Sequence, residues 1–532
     1  MLTRPQLISY FILFFVIPMP SSAEENTYCN QSNNTTIITN NIFDLEEDGT
    51  IFIHKIGNFF HIKTKDKTII NESSFFMDKC QVTNEDLNEL ERHLRSKKYI
   101  QSASVTRDDE GKVIIETFDT WSLMPTVDFG RKGGKNSSAA GIKERNLLGL
   151  GIDTEIEYFD NDQRTGYKFD TEFPFILQNN TSIKTRFTNN DDGGSESVFI
   201  QKKFASFDTK NSYNIGFNNF RQIDTQYEIG EKSKQYNHDK DFSTASWRWL
   251  HEDTQTDTIR LGIGITKEHH LFSSTPPPLI SKDSNIPLDR KFNYPFITFE
   301  YLQKDYRELT NFNLISNVED FNFGWNFNAN IGGNVFNDAD TPSIIFQANS
   351  STGFDLANNS IIFSNVLLES EIYDKSKQKN RLLLTFETEY YKKINDRWGG
   401  YLKNRTTLSK NQHLDSPVVL GDKTGVRGFP LQYQHGDHST QFTFETRYYP
   451  HINIYKLLEL GGAFFIDTGR VYGRTELSQQ KNPWMTSIGI GARFYSVQSS
   501  EAKVIHIDLT KPITSDPNAD GIEFRITTKH SF

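Results

Sequence analysis

Cysteine is almost absent from this 532-residue chain: there are two, Cys29 and Cys80, so one bridge is the most that can form. Long apolar runs are absent too. Beyond the N-terminus nothing approaches the roughly 20 residues that a spanning helix needs, and the mean hydropathy is −0.58, which together exclude a helical membrane protein. A membrane barrel is not excluded, because half of each strand faces water and dilutes the average. Strong charge of one sign is missing: 58 Lys and Arg stand against 68 Asp and Glu, and a net −10 gives no electrostatic reason to expect nucleic acid as a partner. Signals of catalysis are missing as well. "GRKGGK" (130–135) lacks the Ser/Thr and strand–helix setting of a phosphate loop and reads as a hairpin turn. His269, His270 and the other histidines show no metal-ligand spacing, and there is no Gly-x-Ser-x-Gly elbow. No enzyme, cofactor or metal is expected.

Aromatic residues are abundant, at 13% with 43 Phe and 21 Tyr, a composition that favours strands. The chain opens with Arg4, an apolar stretch over 7–20 and the small residues Ser21-Ser22-Ala23, the pattern of a secretory signal over 1–23. In an export compartment Cys29 and Cys80 are expected to bond to one another, with two buried free thiols as the alternative. Residues 24–34 read as a polar linker. Residues 35–120 read as a small α+β domain. It has a strand within 35–44, another beginning at Ile51 ("IFIHKI"), a short helix over 65–76 and a helix over 84–97. Strands near 100–106 and 112–119 close it. Thr83 and Asp86 have capping-box spacing before the second helix, and Leu87, Leu90 and Leu94 line one of its faces.

From Trp121 to Phe532 the texture changes to alternating segments of about ten residues separated by Gly, Asn and Asp clusters. "FNFGWNFNANI" (321–331) sets Phe321, Phe323, Trp325, Phe327, Ala329 and Ile331 against Gly324 and four asparagines. "SIGIGARFY" (487–495), "QFTFETRYY" (441–449) and "LLLTFETEYY" (382–391) alternate likewise. An eleven-residue strand spans roughly 36 Å, or about 25 Å of height at a 45° tilt, which matches the apolar band of an outer-membrane barrel. The aromatic face is then expected to meet lipid and the polar face a wet lumen. A soluble secreted multi-sheet protein is the rival. About 16 to 20 strand candidates can be found by alternation, and 272–291, with three consecutive prolines, reads as a long loop.

One segment, 410–436, breaks the alternation and contains "GDKTGVRGFP" (421–430). Val426, Arg427, Gly428 and Phe429 resemble the Val-Arg-Gly-Phe/Tyr loop of the BamA/TamA-type outer-membrane superfamily, which includes insertases and two-partner secretion transporters. In that family the loop folds into the barrel lumen and its arginine pairs with the aspartate of a Phe-x-Asp-x-Gly strand. Here "FFIDTGRVYG" (464–473) offers Phe465, Asp467 and Gly469. Five strand candidates follow the loop, near 438–450, 460–472, 484–496, 503–511 and 521–532. "WSLMPTVDFGRKGGKNSSAAGIKERNLLGLG" (121–151) resembles the family's opening hairpin, and 35–120 resembles one polypeptide-transport-associated (POTRA) module. The C-terminal "IEFRITTKHSF" ends on Phe532, as a barrel-recognition signal does, although Thr528 and His530 depart from it.

The resemblance implies a mostly β protein: a transmembrane antiparallel barrel over 121–532, of sixteen strands in the family, behind one periplasmic POTRA-like domain. It implies residence in the outer membrane of a Gram-negative bacterium and contact with outer-membrane lipid. Its client would be an unfolded or exported polypeptide, with periplasmic chaperones or accessory proteins as further partners. Insertases usually carry several such modules and two-partner transporters two plus a plug helix, so the single module leaves three readings open. These are insertion or assembly of polypeptides, a dedicated secretion pore for one exoprotein, and a passive channel or surface antigen. From its chemistry, Arg427 inside a barrel needs a carboxylate, which Asp467 can provide bidentately.

Overall fold

A computed structural model describes residues 34–529 except 47–50, 78, 80, 175–179, 276–285, 316–317, 336–340, 358, 375–377, 456, 474–481, 497–503, 515–518 and 520. The expected signal over 1–23, most of the 24–34 linker, Cys29, Cys80 and Phe532 lie outside the described residues.

Alternation builds the wall. Along Leu458–Tyr472, Ala463, Phe465, Asp467, Gly469 and Val471 are buried while Phe464 and Ile466 between them are exposed. The same two-residue period runs through Met485–Ser496, Val504–Pro512 and Glu523–Lys529. Twenty antiparallel strands, from Leu123–Lys132 to Glu523–Lys529, close into one barrel, where the resemblance implied sixteen. The two-residue strand Asn453–Ile454 is an appendix to Leu458–Tyr472. Inward charges pair along the lumen: Lys403 Nζ reaches Glu387 and Glu389 at 2.7 and 2.8 Å, and Arg381 reaches Glu369 and Glu371 at 2.7 and 2.9 Å.

The closing contact differs from the other wall pairings. Leu123–Lys132 pairs with Lys135–Leu147 from Leu123↔Glu144 to Lys132↔Lys135. On its other side, against Glu523–Lys529, only Ile526↔Arg131 stands in ladder register among the described residues. Side chains supply the rest: Arg131 Nε lies 3.2 Å from Glu523 Oε1, which also accepts the Gly134 N–H at 3.2 Å.

The N-terminal unit is a three-stranded sheet in which Thr35–Asn40 runs parallel to Val113–Asp119, itself antiparallel to Ile100–Arg107. Helices Asp66–Glu72, Ser74–Met77 and Asn84–Arg95 cover it, with Ile69, Phe76, Leu90, Leu94 and Ile115 at the centre of the core. Thr83 and Asp86 form the reciprocal cap: Asp86 N–H donates to Thr83 Oγ1 at 3.2 Å and Thr83 N–H to Asp86 Oδ2 at 2.7 Å.

Two expectations fail. "IFIHKI" does not start a strand; Phe52–Phe60 is a helix. Its buried residues are His54 and Gly57, with His61 just beyond, a helical spacing carried by polar and small residues and so invisible to hydrophobic periodicity. The segment 321–331 is not one strand either. Asn322 Oδ1 accepts the N–H groups of Asp305 and Gly324, each at 3.0 Å, and this side-chain turn ends Val318–Asn322 before Asn326–Gly332 begins. Trp325 and Ile331 remain exposed on the outer face, but Phe323 is buried against Phe363, with the Arg307 guanidinium 4.4 Å from its ring.

Candidate functional site

Residues 411–437 leave the wall at the end away from the N-terminal unit and fold into the lumen. Val418–Leu420 and Gln434–Gly436 pair as a short hairpin at the neck. Between them Gly425 and Gly428 take φ +136° and +85°. A Cβ on Gly428 would lie 2.8 Å from Thr510 Oγ1, and one on Gly425 2.1 Å from Gln441 Oε1, so only glycine lets the backbone lie this close to the wall. Val426 and Phe429 are fully buried with Leu420, Val471 and Met485.

Those two anchors aim Arg427 at the wall. Its Nε and Nη2 donate to Asp467 Oδ2 and Oδ1 at 2.6 and 2.8 Å, and its backbone N–H adds a third bond at 3.2 Å. Thr443 Oγ1 donates to Asp467 Oδ1 at 2.9 Å. Nη1 lies 3.0 Å from Glu445 Oε1, and the guanidinium sits 3.4 Å above the Phe465 ring. Gly469 leaves room for Leu420 of the loop: a Cβ there would stand 3.1 Å from Leu420 Cδ1.

Sequence reasoning missed most of the surrounding charges. Asp422, five residues before Arg427, accepts Arg525 Nε at 2.8 and 2.9 Å and the Gly428 N–H at 2.9 Å. Arg525 Nη1 continues to Asp508 Oδ2 at 3.0 Å, and Asp508 Oδ1 accepts Arg493 Nη1 at 2.6 Å. Glu445 is shared with Arg447, whose Nε donates at 3.1 Å. Four guanidiniums thus meet four carboxylates in a buried network. It fastens the loop both to the Leu458–Tyr472 strand and, through Asp422–Arg525, to the strand that closes the barrel. The inward parity of Glu445, Arg447, Arg493, Asp508 and Arg525 was the available signal.

The loop also crosses to the far wall. Arg290 holds Asp415 bidentately at 2.7 and 2.8 Å, Lys423 Nζ reaches Asp162 at 2.8 Å, and Gly230 N–H donates to the Leu431 carbonyl at 2.9 Å. From the opposite end a second segment enters. Residues 304–325, whose hairpin pairs Tyr306–Thr310 with Val318–Asn322, pack Leu314 and Ile315 against Tyr449, Ala463, Tyr495 and Val504 of the inner wall. Arg447 Nη1 donates to the Phe312 carbonyl at 3.0 Å, so the charge network touches both inserted segments. The N-terminal unit grips this hairpin: Arg95 bonds Asp320 at 2.8 and 3.1 Å and Glu308 at 2.9 Å, while Arg92 lies 4.6 Å over the Tyr306 ring. Between the Asn84–Arg95 helix, the hairpin and the inner wall lies a cavity of about 960 Å³, with Arg92, Lys143, Arg145, Arg260 and Glu319 in its lining. Glu89 beside it accepts the Phe207 N–H at 2.7 Å; burial pushes its carboxyl up to about 7, against the pull of that N–H.

No family model and no curated protein matches the chain. Solved structures that resemble it include BamA from Haemophilus ducreyi lacking POTRA domains 1–3, at 12% identity and TM-score 0.43, covering 88% of this chain and 81% of that one. CdiB from Escherichia coli resembles it at 9% identity and TM-score 0.49, with 87% and 73% covered. CdiB from Acinetobacter baumannii does so at 10% identity and TM-score 0.43, with 88% and 70% covered.

Proposed function

We propose that the chain is an outer-membrane protein of the BamA-type superfamily in a Gram-negative bacterium. Its barrel inserts or translocates polypeptides, and its N-terminal unit is one POTRA module in the periplasm. The observation that carries this reading is the coupling of the inserted loop to a weakly laddered seam. Within hydrocarbon each unpaired backbone group costs several kcal/mol, so wall strands are expected to be fully paired. A closing pair that, among the described residues, stands in register only at Ile526↔Arg131 is the place where the wall opens at least cost and where another strand can add. Arg525, on that closing strand, is held by Asp422 of the loop, so movement of the loop moves one lip of the seam.

The two inserted segments support a lumen that is closed at rest, which disfavours the passive channel. The cavity under the hairpin suits an extended segment of client before entry, and the edges Thr35–Asn40 and Ile100–Arg107 of the module's sheet suit strand addition, which recognises backbone more than sequence. Photo-crosslinkers at Val127 and Phe524, on either side of the seam, test the reading in cells. Many polypeptide adducts fit an insertase, and one adduct fits a dedicated exoprotein pore. No adducts, together with steady ohmic conductance in planar bilayers, would leave the passive channel and overturn the proposal.

A further inference from the structure

The Phe52–Phe60 helix is built inside out. Its buried side carries His54 and Gly57, whereas Phe52 is 75% exposed, Phe59 81% and Phe60 59%, with Ile53 and Ile62 also exposed. A helix on a water-facing domain buries its apolar stripe and shows its polar one. This orientation is fixed by polar contacts. His54 stacks on Phe43 at 4.4 Å and its Nε2 lies 2.8 Å from the Tyr455 carbonyl. His61 Nε2 lies 2.7 Å from Asp119 Oδ2, and Asn58 exchanges two hydrogen bonds with the Phe43 backbone at 2.8 and 3.1 Å. Rotating the helix to bury its phenylalanines would break them all.

Its position gives the apolar face a partner. Tyr455 belongs to the turn joining His438–Tyr448 to Leu458–Tyr472, where Ile452, Ile454 and Tyr455 are themselves exposed. At the other contact a Cβ on Gly57 would stand 3.9 Å from Trp121, two residues before the first wall strand. The helix therefore meets the barrel rim at two points on either side of the seam, with exposed apolar residues on both the helix and the Ile452–Tyr455 turn. Lys55 and Lys63 are exposed beside the phenylalanines, and the helix contains no acidic residue.

We infer that this helix lies in the periplasmic leaflet of the outer membrane, with Phe52, Phe59 and Phe60 among the acyl chains and Lys55 and Lys63 at lipid phosphates. An amphipathic helix in an interface seats its apolar face about 5–10 Å into the headgroup–acyl boundary. Held there, it fixes the module against the membrane beneath the seam. The inference rests on the outer-membrane reading of the barrel, and the test separates the two.

Full-length protein with both cysteines replaced by serine would be placed in nanodiscs of phosphatidylethanolamine and phosphatidylglycerol. A nitroxide would be attached at one of three sites: Phe59→Cys, Asp109→Cys on the exposed turn of the module, or Ile297→Cys on the outer wall. All three positions are exposed, so folding is not at stake. Accessibility to oxygen and to a water-soluble nickel chelate is then compared. The label at 59 is expected to resemble that at 297, with an oxygen-to-nickel ratio several-fold above that at 109. A label at 59 that behaves like 109 while 297 remains lipid-like would overturn the inference alone. A label at 297 that behaves like 109 would overturn the barrel's membrane placement, and this inference with it. Shielding at 59 that rises with the protein-to-lipid ratio would mean a second copy covers the helix, which also overturns it.

Discussion

Truncating Arg427 to alanine removes the centre of the loop's attachment. Arg427 is 4% exposed and Asp467 0%, so the substitution strands a carboxylate away from water. Losing one partner of a buried pair costs about 3–5 kcal/mol. Three surviving contacts soften this: the backbone N–H of residue 427 and Thr443 Oγ1 still reach Asp467, and Glu445 keeps Arg447. The lost stack on Phe465 acts the other way, by about 0.5–2 kcal/mol. The expected net is about 3–4 kcal/mol of folded-state stability. It can be read from urea titration of the protein in lipid vesicles, using the fast-migrating unheated band as the folded signal. Arg427→Lys should recover part of it, since one ammonium cannot span both Asp467 oxygens and Glu445 together. Exchanging the charges (Arg427→Asp with Asp467→Arg) should not rescue, because the new aspartate would face Glu445. An Arg427→Ala protein within about 0.5 kcal/mol of the parent, with unchanged polypeptide crosslinking, would mean that the pair does not hold the loop.

Wall parity predicts that Ile297→Arg, on the outer face, costs about 2–4 kcal/mol in the same assay while Asn328→Arg, on the inner parity, is nearly neutral; equal costs would contradict the assignment of faces. Gly428→Ala should cost about 1–3 kcal/mol because φ +85° and Thr510 both oppose a Cβ, whereas Gly134→Ala, at φ +78° with nothing within 4 Å, should cost less. Arg95→Ala should loosen the 304–325 hairpin and raise open-channel conductance in planar bilayers; an unchanged current would show that the hairpin does not close the lumen. Because the folded-state pKa of Glu89 is raised to about 7, its contribution is full below the ordinary carboxylate range and is lost as pH rises through about 7. Protection factors of the module's amides, taken relative to the intrinsic base-catalysed rates at each pH, should therefore be larger at roughly pH 5 than at pH 8, and Glu89→Gln should flatten that difference.

Side-chain parity is a local property, which is why the strands after the loop were legible to within a few residues, as was the Thr83–Asp86 cap. Closure is not local. The number of strands depends on tilt and stagger around the whole barrel, and twenty could not be told from sixteen by counting alternations. Two local failures have local causes: the Phe52–Phe60 helix buries histidine and glycine where hydrophobic periodicity looks for leucine, and Asn322 turns the chain inside an alternation that otherwise never slips. Arg427 and Asp467 stood out because the resemblance named them. The charges around them were visible as inward residues whose partners could not be named, since parity gives a face and not a neighbour a hundred residues away. The hairpin of Tyr306–Thr310 and Val318–Asn322 has strands of five residues, too short to cross the wall, a distinction that alternation alone does not draw.

Locking the seam tests most directly whether it is where polypeptides pass. Arg131→Cys with Ile526→Cys, in a protein without Cys29 and Cys80, places two thiols at the one position where, among the described residues, the closing strands stand in register. With the bond confirmed by mass mapping, the oxidised protein should lose its polypeptide adducts at Val127 and Phe524, and reductant should restore them. Full polypeptide handling by the oxidised protein would contradict that role for the seam.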